Sequence, residues 1–517
     1  MAVIENSVLI RLIAGLWAAL SRAWGKSVVG RALEWMGGAA ANWTKGSGVC
    51  AFLSREGTLP RYWPGSLSHT LFTVIVNFPC ALARWLYRKG EKIWNGSVAF
   101  QTVSAMGGVS FFFLGLLMLV MLVVPHDRWN NFYGLLGAFG VAALFAVGSA
   151  VRPKRRLEPA FFGPYLPLYL ICIGSALAIS LSTKLSMRFF SFHVISFLLM
   201  LLVVSSIHKP QQLKLVIALV VVGVAVAALY GCYQGYVGVE IVASQQDLRL
   251  NAGMPGRVYS FFDNPNNFAE VLVMLIPLDL ALVLCAKTWR GKLWAFLALV
   301  PCVAAIGFTY SRSGWIGLCL AVVIFLALEN WRLVPLMIVL GLCAIPFLPE
   351  TIYNRILTIG NLKDSSTSYR FAIYDATAEL MGDYWYRGVG LGSDVMQRVF
   401  RGYPAMFDGS FPIHTHNNYL QMWGETGILG LISYLAVLAY GVKCGLKAYY
   451  QTMDRQVRHI LAAALGAFGG ILVIGIAEYT WFYPRNMFVY WFLFGVIMCC
   501  VKLGHPRRAE KGRQAQN

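Results

Sequence analysis

The chain has 517 residues, of which 58% are hydrophobic and only 13% charged, a balance that no ordinary soluble domain keeps in solution. The 43 Lys and Arg against 23 Asp and Glu are dispersed among apolar runs rather than gathered on a soluble module. This counts against a nucleic-acid-binding protein and directs the excess charge toward an anionic inner leaflet. The 11 cysteines lie mostly inside apolar segments without C-x-x-C spacing, so neither a disulfide framework nor a zinc site is indicated.

In chain order, residues 1–98 mix apolar stretches with spaced charges, as where Arg11 and Arg22 interrupt the run from Leu9 to Trp24. They read as a cytoplasmic-side, interfacial amphipathic segment that does not span the membrane. A basic n-region and a small-residue cleavage site are both lacking, which argues against a signal peptide. From Gln101 onward the pattern changes to apolar runs of spanning length, at 101–124, 129–151, 160–182, 187–206, 213–236, 265–286, 293–310, 314–329, 333–349, 416–442, 459–480 and 486–503. The expected fold is all-α: a polytopic membrane domain at 99–503 with about twelve transmembrane helices, then a basic cytoplasmic tail at 504–517.

With the N-terminus inside, the inner loops carry about twice as many Lys and Arg as the short outer loops, which places both termini in the cytoplasm. Two outer segments are long, 237–264 and 350–415. The second holds a helix-like stretch from Ser368 to Met381, followed by Gly388-Val389-Gly390-Leu391-Gly392, read as a turn. Long structured loops on one face usually carry function.

The even-numbered spans run from outside to inside and present the positive ends of their dipoles to the outer surface. Span 6 follows Arg257-Val258-Tyr259-Ser260-Phe261-Phe262-Asp263-Asn264-Pro265-Asn266-Asn267, where Asn264 is a natural N-cap and Pro265 suits the first helical position. Span 8 follows the hairpin Tyr310-Ser311-Arg312-Ser313-Gly314, and span 10 opens at His414-Thr415-His416-Asn417. Singly, each residue also fits a plainer role: Arg257 a solvated loop charge, Arg312 a side chain snorkelling to headgroups, His416 a cap or interfacial histidine. Together, two arginines, a histidine and unpaired backbone N–H groups at one membrane boundary suit a diphosphate.

His416-Asn417, nine residues, Gly427, two residues and Gly430 match the His-[Asn/Ser/Gln]-x9-Gly-x-x-Gly signature of bacterial O-antigen ligases. The Ser-Phe-x-x-Asn-Pro-Asn run and the Ser-Arg-x-Gly hairpin resemble the two other blocks of the O-antigen ligase and polymerase superfamily, in the same order. The resemblance covers about residues 100–503; residues 1–98 depart from it. It implies a GT-C-type membrane glycosyltransferase that takes a glycan from an undecaprenyl diphosphate carrier on the outer face of the bacterial inner membrane. It also implies a glycan, lipid or protein acceptor, surrounding membrane lipids, and neither cofactor nor metal. Block by block, Arg257 and Arg312 are similar to arginines that hold the carrier diphosphate, and His416 to the essential histidine. Arg370 is similar to a recurrent arginine without an assigned role. His414 matches part of the pattern, while Asn264 and Asn266 complete the expected substrate-binding set.

That chemistry is coherent without a nucleotide or metal: the anomeric carbon already carries a diphosphate leaving group, guanidiniums can stabilise the developing charge, and a histidine can act as base. Other polar residues in or beside the spans have secondary expectations. Glu270 either orients an arginine or bonds between helices, and Glu478 and Arg485 pair. Glu425 lies about 180° around and about 13.5 Å along the helix from His416, so it packs or pairs elsewhere. Gly427 and Gly430 permit close packing, and His193 is a satisfied core histidine. A repeat-unit polymerase of the same superfamily is an alternative. A multi-span lipid or polysaccharide transporter is an alternative of another class, one that predicts charges and broken helices near mid-bilayer. The histidine signature argues against a peptidoglycan-polymerising enzyme.

Overall fold

A computed structural model describes residues 27–48, 57–242, 253–360 and 365–504, with Gly15, Ala19, Ala23, Ala51 and Arg55 as isolated positions. The readings of the basic tail beyond Gly504 and of most of Leu9 to Trp24 lie outside the described residues. Residues 1–58 and 59–517 form two units. The first contains α1 (Val28–Gly46).

In the second unit, α2 is Leu67–Lys89, α3 Val98–Gly108, α4 Ser110–Val123, α5 Asn131–Ala150, α6 Tyr165–Ala178, α7 Thr183–Ser206 and α8 Pro210–Val237. Then come α9 (Pro265–Cys285), α10 (Trp289–Phe308), α11 (Arg312–Asn330) and α12 (Leu333–Ala344). The expected outer loop contains α13 (Glu350–Leu357), α14 (Ser365–Tyr384) and α15 (Ser393–Phe400), and the chain closes with α16 (Asn418–Gln451), α17 (Arg455–Ala477) and α18 (Pro484–Gly504). Among the described residues there is no strand, and ten helices are long and apolar enough to cross a membrane, or eleven if the bent pair α3 and α4 is one span. The protein is an all-α, multi-pass membrane protein.

Differences from twelve uniform spans have local causes. The run at 101–124 bends by 74° between α3 and α4, where Val109 leaves helical geometry just after a Gly-Gly pair. The runs at 160–182 and 333–349 give shorter helices, of 14 and 12 residues. Gly163 and Pro164 delay the start of α6, and Pro346 converts the end of the second run into a 3-10 turn. Hydropathy registers apolar content and not these breaks.

Helix α18 is apolar on all sides and buried nearly throughout, which makes it the centre of the bundle. Helices α7, α16 and α17 pack against it, and α9 packs against α17. Helices α11 and α17 approach through small residues: a Cβ on Gly470 would lie 2.5 Å from the Gly317 carbonyl oxygen, and one on Gly466 2.4 Å from that of Ala321.

At one end of the bundle, the buried Lys502 of α18 bonds Glu158 at 2.6 Å and the Val204 carbonyl at 2.5 Å. The middle of α2 meets the same end. Asn77 donates to the Leu157 carbonyl at 3.0 Å and accepts the Leu157 N–H at 2.8 Å, while Arg84 donates to the Arg155 carbonyl at 3.2 Å. Although α2 is long and apolar enough to cross by composition, its midpoint is therefore level with the end of the bundle. Its outward residues Leu71, Val74, Ile75, Phe78, Leu82 and Trp85 are exposed and apolar.

The loop helices have a small core of their own, in which Ala376, Leu380, Met381, Val395, Met396 and Phe400 are buried. This core docks on a break in α16. At Gly427 the backbone takes φ 72 and ψ 179, which is not helical. The break leaves backbone groups for the loop: Val389 N–H donates to the Gly424 carbonyl at 2.8 Å, Gly390 N–H to that of Glu425 at 3.1 Å, and Ile428 N–H to that of Trp385 at 3.0 Å. The Gly388–Gly392 turn is thus a docking segment. The close packing expected at Gly427 is found, against the loop: a Cβ there would meet the Tyr386 carbonyl oxygen at 2.2 Å, in a backbone region essentially reserved for glycine. Gly427→Ala should cost roughly 1–3 kcal/mol from backbone strain alone and undock the loop. Limited proteolysis within 350–415 should become faster, and unchanged resistance would contradict this role.

Candidate functional site

The C-terminal ends of α4, α8, α10 and α17 and the N-terminal ends of α9, α11, α16 and α18 meet at the other end of the bundle, next to the folded loop. Three segments here contain a non-glycine residue with positive φ: Ser260 (55), Tyr310 (49) and His416 (48). No others occur among the described residues. Each lies within three residues of an expected site residue. Strained backbone of this kind persists only where surrounding contacts hold it, and it clusters at working sites.

In the first segment, Ser260 is held by its N–H to the Gln234 side chain at 2.7 Å and by its hydroxyl to the Ala227 carbonyl at 2.5 Å. This fixes the buried Arg257, whose Nε donates to the Thr309 carbonyl at 2.8 Å and whose Nη2 donates to Asn266 Oδ1 at 2.5 Å. Asn264 caps α9 by accepting the Asn266 N–H at 2.8 Å. It supports Asn266 and stands outside the side-chain network. Burial first, then Arg355, Arg312 and Arg370, press the Arg257 guanidinium down to about 9 against the opposing pull of Glu478. It remains cationic at neutral pH.

In the second segment, Ser311 caps α11, and Arg312, the first residue of that helix, donates to the Thr358 carbonyl at 2.9 Å. Arg355 of α13, a residue that sequence reasoning did not single out, donates through Nε to the Tyr310 carbonyl at 3.4 Å. It brings another guanidinium beside Arg257.

In the third segment, Asn417 caps α16 by accepting the Tyr419 and Leu420 N–H groups at 2.9 and 3.0 Å. His416 stands just outside the helix. Its N–H donates to His414 Nδ1 at 3.2 Å, and its carbonyl accepts from the Tyr374 hydroxyl at 3.3 Å. The His414 ring packs at a tilt among His416, Phe482 and Tyr479, with ring centroids 4.2, 4.6 and 5.6 Å away. Burial, then the neighbouring His416, hold His414 well below the usual histidine range. It is a neutral acceptor that shapes the turn.

Glu478, buried just past the end of α17, joins these segments. Its Oε1 accepts from Arg370 Nη2 in a short ion pair and from Asn266 Nδ2 at 3.3 Å, and its Oε2 lies 3.3 Å from His416 Nδ1. Arg370 also donates through Nε to the Ala477 carbonyl at 2.9 Å. Arg257, Asn266, Glu478, His416 and Arg370 thus form one connected network, with Arg312 and Arg355 beside it. Burial alone would raise the Glu478 carboxyl, yet Arg370, His416 and His414 outweigh it and hold the group at about 2.

Two sequence expectations are corrected. Glu478 does not pair with Arg485, which is 1% exposed. Arg485 donates instead to the Tyr483 hydroxyl and to the carbonyls of Met121, Val124 and Phe261 at 2.9, 2.6 and 3.0 Å, tying α4 and the first segment to the start of α18. Of the two roles expected for Glu270, the structure shows the interhelical one: it accepts from Asn486 of α18 at 2.6 Å. The first-turn N–H groups of α9, α11 and α16 are partly taken by their own caps, so guanidiniums dominate the site's capacity for anions. Glu425 turns away from His416, as its helical position requires, and accepts from Gln421 at 2.8 Å and from the Tyr479 hydroxyl at 3.2 Å. His193 packs between Tyr169 and Trp481.

Residues 297–435 match the family model described as O-Antigen ligase. The match contains Arg312, Arg355, Arg370, His414 and His416; Arg257, Asn264, Asn266 and Glu478 lie outside it. No curated protein matches the chain.

Proposed function

We propose that this chain, a member of the O-antigen ligase superfamily through residues 297–435, transfers a glycan from an undecaprenyl-diphosphate-type carrier to an acceptor hydroxyl at the outer face of the bacterial inner membrane. The observation that carries this reading is the joining of Arg257, Arg370 and His416 through one buried carboxylate, beside Arg312, at one end of a membrane bundle. A lipid carrier fixes its diphosphate at the membrane boundary, and a guanidinium cluster is suited to receive it there.

The reaction is a displacement at the anomeric carbon. The acceptor oxygen forms the new bond to that carbon as the bond to the diphosphate breaks, and the electron pair leaves with the diphosphate. Arg257 and Arg312 stabilise the charge that accumulates on the leaving group. His416 Nε2 takes the hydroxyl proton, since Nδ1 is held by Glu478. Attack opposite the leaving group inverts the anomeric configuration.

The test is reconstitution of the full chain with a lipid-diphosphate oligosaccharide and candidate acceptors. Stoichiometric release of lipid diphosphate with one addition per acceptor supports a ligase. A ladder of repeat additions identifies a polymerase, and no transfer to any acceptor class would contradict the transferase reading.

In the same topology both termini are cytoplasmic, 350–415 is outside, and α2 lies along the inner leaflet interface. The meeting of mid-helix Asn77 with the bundle end and the apolar outward side of α2 support that placement. A cysteine at Asp408 should react with an impermeant reagent in intact spheroplasts, and reaction only after permeabilisation would reverse the orientation. A spin label at Phe78 should report interfacial depth; a mid-bilayer depth would make α2 a span.

A further inference from the structure

One buried group bonds both His416, assigned to the acceptor, and Asn266, which holds the donor-side Arg257. Glu478 is 6% exposed, and both of its oxygens are engaged. Oε1 takes Arg370 and Asn266, and Asn266 in turn takes Arg257. Oε2 takes His416. An ionised carboxylate only accepts hydrogen bonds, so the imidazole nitrogen facing it carries the hydrogen.

We infer that Glu478 is the positioning residue of the site: it fixes His416 with Nδ1 protonated and Nε2 left to receive the acceptor proton, and it ties that histidine to the diphosphate-binding Arg257 through Asn266. The inference rests on the transferase reading above and assigns its orienting group. Its logic is that of a general base held by a buried carboxylate, which sets the tautomer and stabilises the imidazolium formed during transfer. Arg370 has a defined part in it. By pairing with Oε1 it keeps the carboxylate ionised and turned toward His416, and its Nε bond to Ala477 anchors it to the end of α17.

The described groups around His416 come from three segments. Glu478 faces it from the end of α17, Tyr374 comes from α14 with Arg370 of the same helix paired to Glu478, and His414 comes from its own segment with the Tyr479 ring tilted behind. Arg257 is reached through Asn266. Glu478 is the one carboxylate among these groups, so removing its charge alters the imidazole directly.

The test compares wild type, Glu478→Gln and Glu478→Asp in the full chain in lipid nanodiscs. Glu478→Gln keeps the shape and removes the charge. It should lower kcat by about tenfold or more, with donor KM within about threefold. The acidic limb of its pH profile should move to lower pH, because an imidazole without its anion is harder to protonate. Glu478→Asp should recover part of kcat. A folded Glu478→Gln protein with wild-type kcat and an unmoved limb would overturn the inference. So would a loss confined to donor KM, since that would assign Glu478 to Arg370 and Asn266 alone. Nitrogen-15 NMR of histidine-labelled wild type, with His416 assigned through His416→Gln, reads the tautomer without turnover. An Nδ1–H signal supports the arrangement even if no donor is transferred, which would count against the transferase reading alone, and an Nε2–H tautomer overturns the inference whatever the activity.

Discussion

Replacing His416 with Asn in the inserted, folded protein should lower turnover by about two to four powers of ten, the size of lost general-base catalysis, with donor binding nearly intact. Asn is the more informative replacement than Ala because residue 416 has φ 48, and Asn tolerates that region best among non-glycine residues. The effect then reports the imidazole rather than a relaxed turn. His414→Ala removes the acceptor for the His416 N–H and the ring contacts with Phe482 and Tyr479 but leaves the imidazole of His416, and should cost less; an equal loss would make the pair, rather than His416, the functional unit. The sign of the pH dependence separates two roles. A base must be neutral to act, so wild-type activity should rise with pH as the imidazole loses its proton, whereas an imidazolium contact to phosphate would be lost over the same interval. Activity falling from about pH 6 to 8, with weakened donor binding in His416→Asn, would recast His416 as a diphosphate ligand.

The second large effect is expected at the arginines. Arg312→Ala and Arg257→Ala should each lower kcat by about a hundredfold to a thousandfold, as loss of a preorganised donor to a developing anion does. The Lys replacements should rescue only partly, because an ammonium lacks the bidentate fork. The two positions differ in what else they lose. Arg257 is buried and bonded to Thr309 and Asn266, so its removal also loosens the junction of α9 and α10. Arg312 is tethered to Thr358, and its loss removes one of the bonds that hold the end of α13, beside those of Arg355 and Thr351 to Tyr310. Folding in detergent must therefore be checked beside activity. Near-normal transfer in a folded Arg312→Ala protein would remove Arg312 from the diphosphate site.

The all-helical membrane fold was legible because apolar length is written directly in sequence, and the caps Asn264, Ser311 and Asn417 stand where cap chemistry places them. The three site segments were legible as helix starts at one boundary. Their linkage was not. Glu478 lies 62 residues after His416 and 108 after Arg370, and no local periodicity brings such positions together. An available signal was that Glu478 is an acid directly at the end of an apolar run in a chain with few acids, which asks for a buried cation. Arg485, nearer in sequence, looked like that cation, but three carbonyls from two other segments claim it. The break at Gly427 was invisible for a related reason: a glycine within a helical pattern does not reveal that a distant loop supplies its missing hydrogen bonds.

The most direct measurement is a structure of the full chain in lipid nanodiscs with a non-transferable phosphonate analogue of a lipid-diphosphate oligosaccharide. The diphosphate is expected within hydrogen-bonding distance of Arg257 and Arg312, with the anomeric carbon on the His416 side and the prenyl chain running into the bilayer. Analogue bound at the opposite end of the bundle, or diphosphate density remote from both arginines, would contradict the assignment of this site.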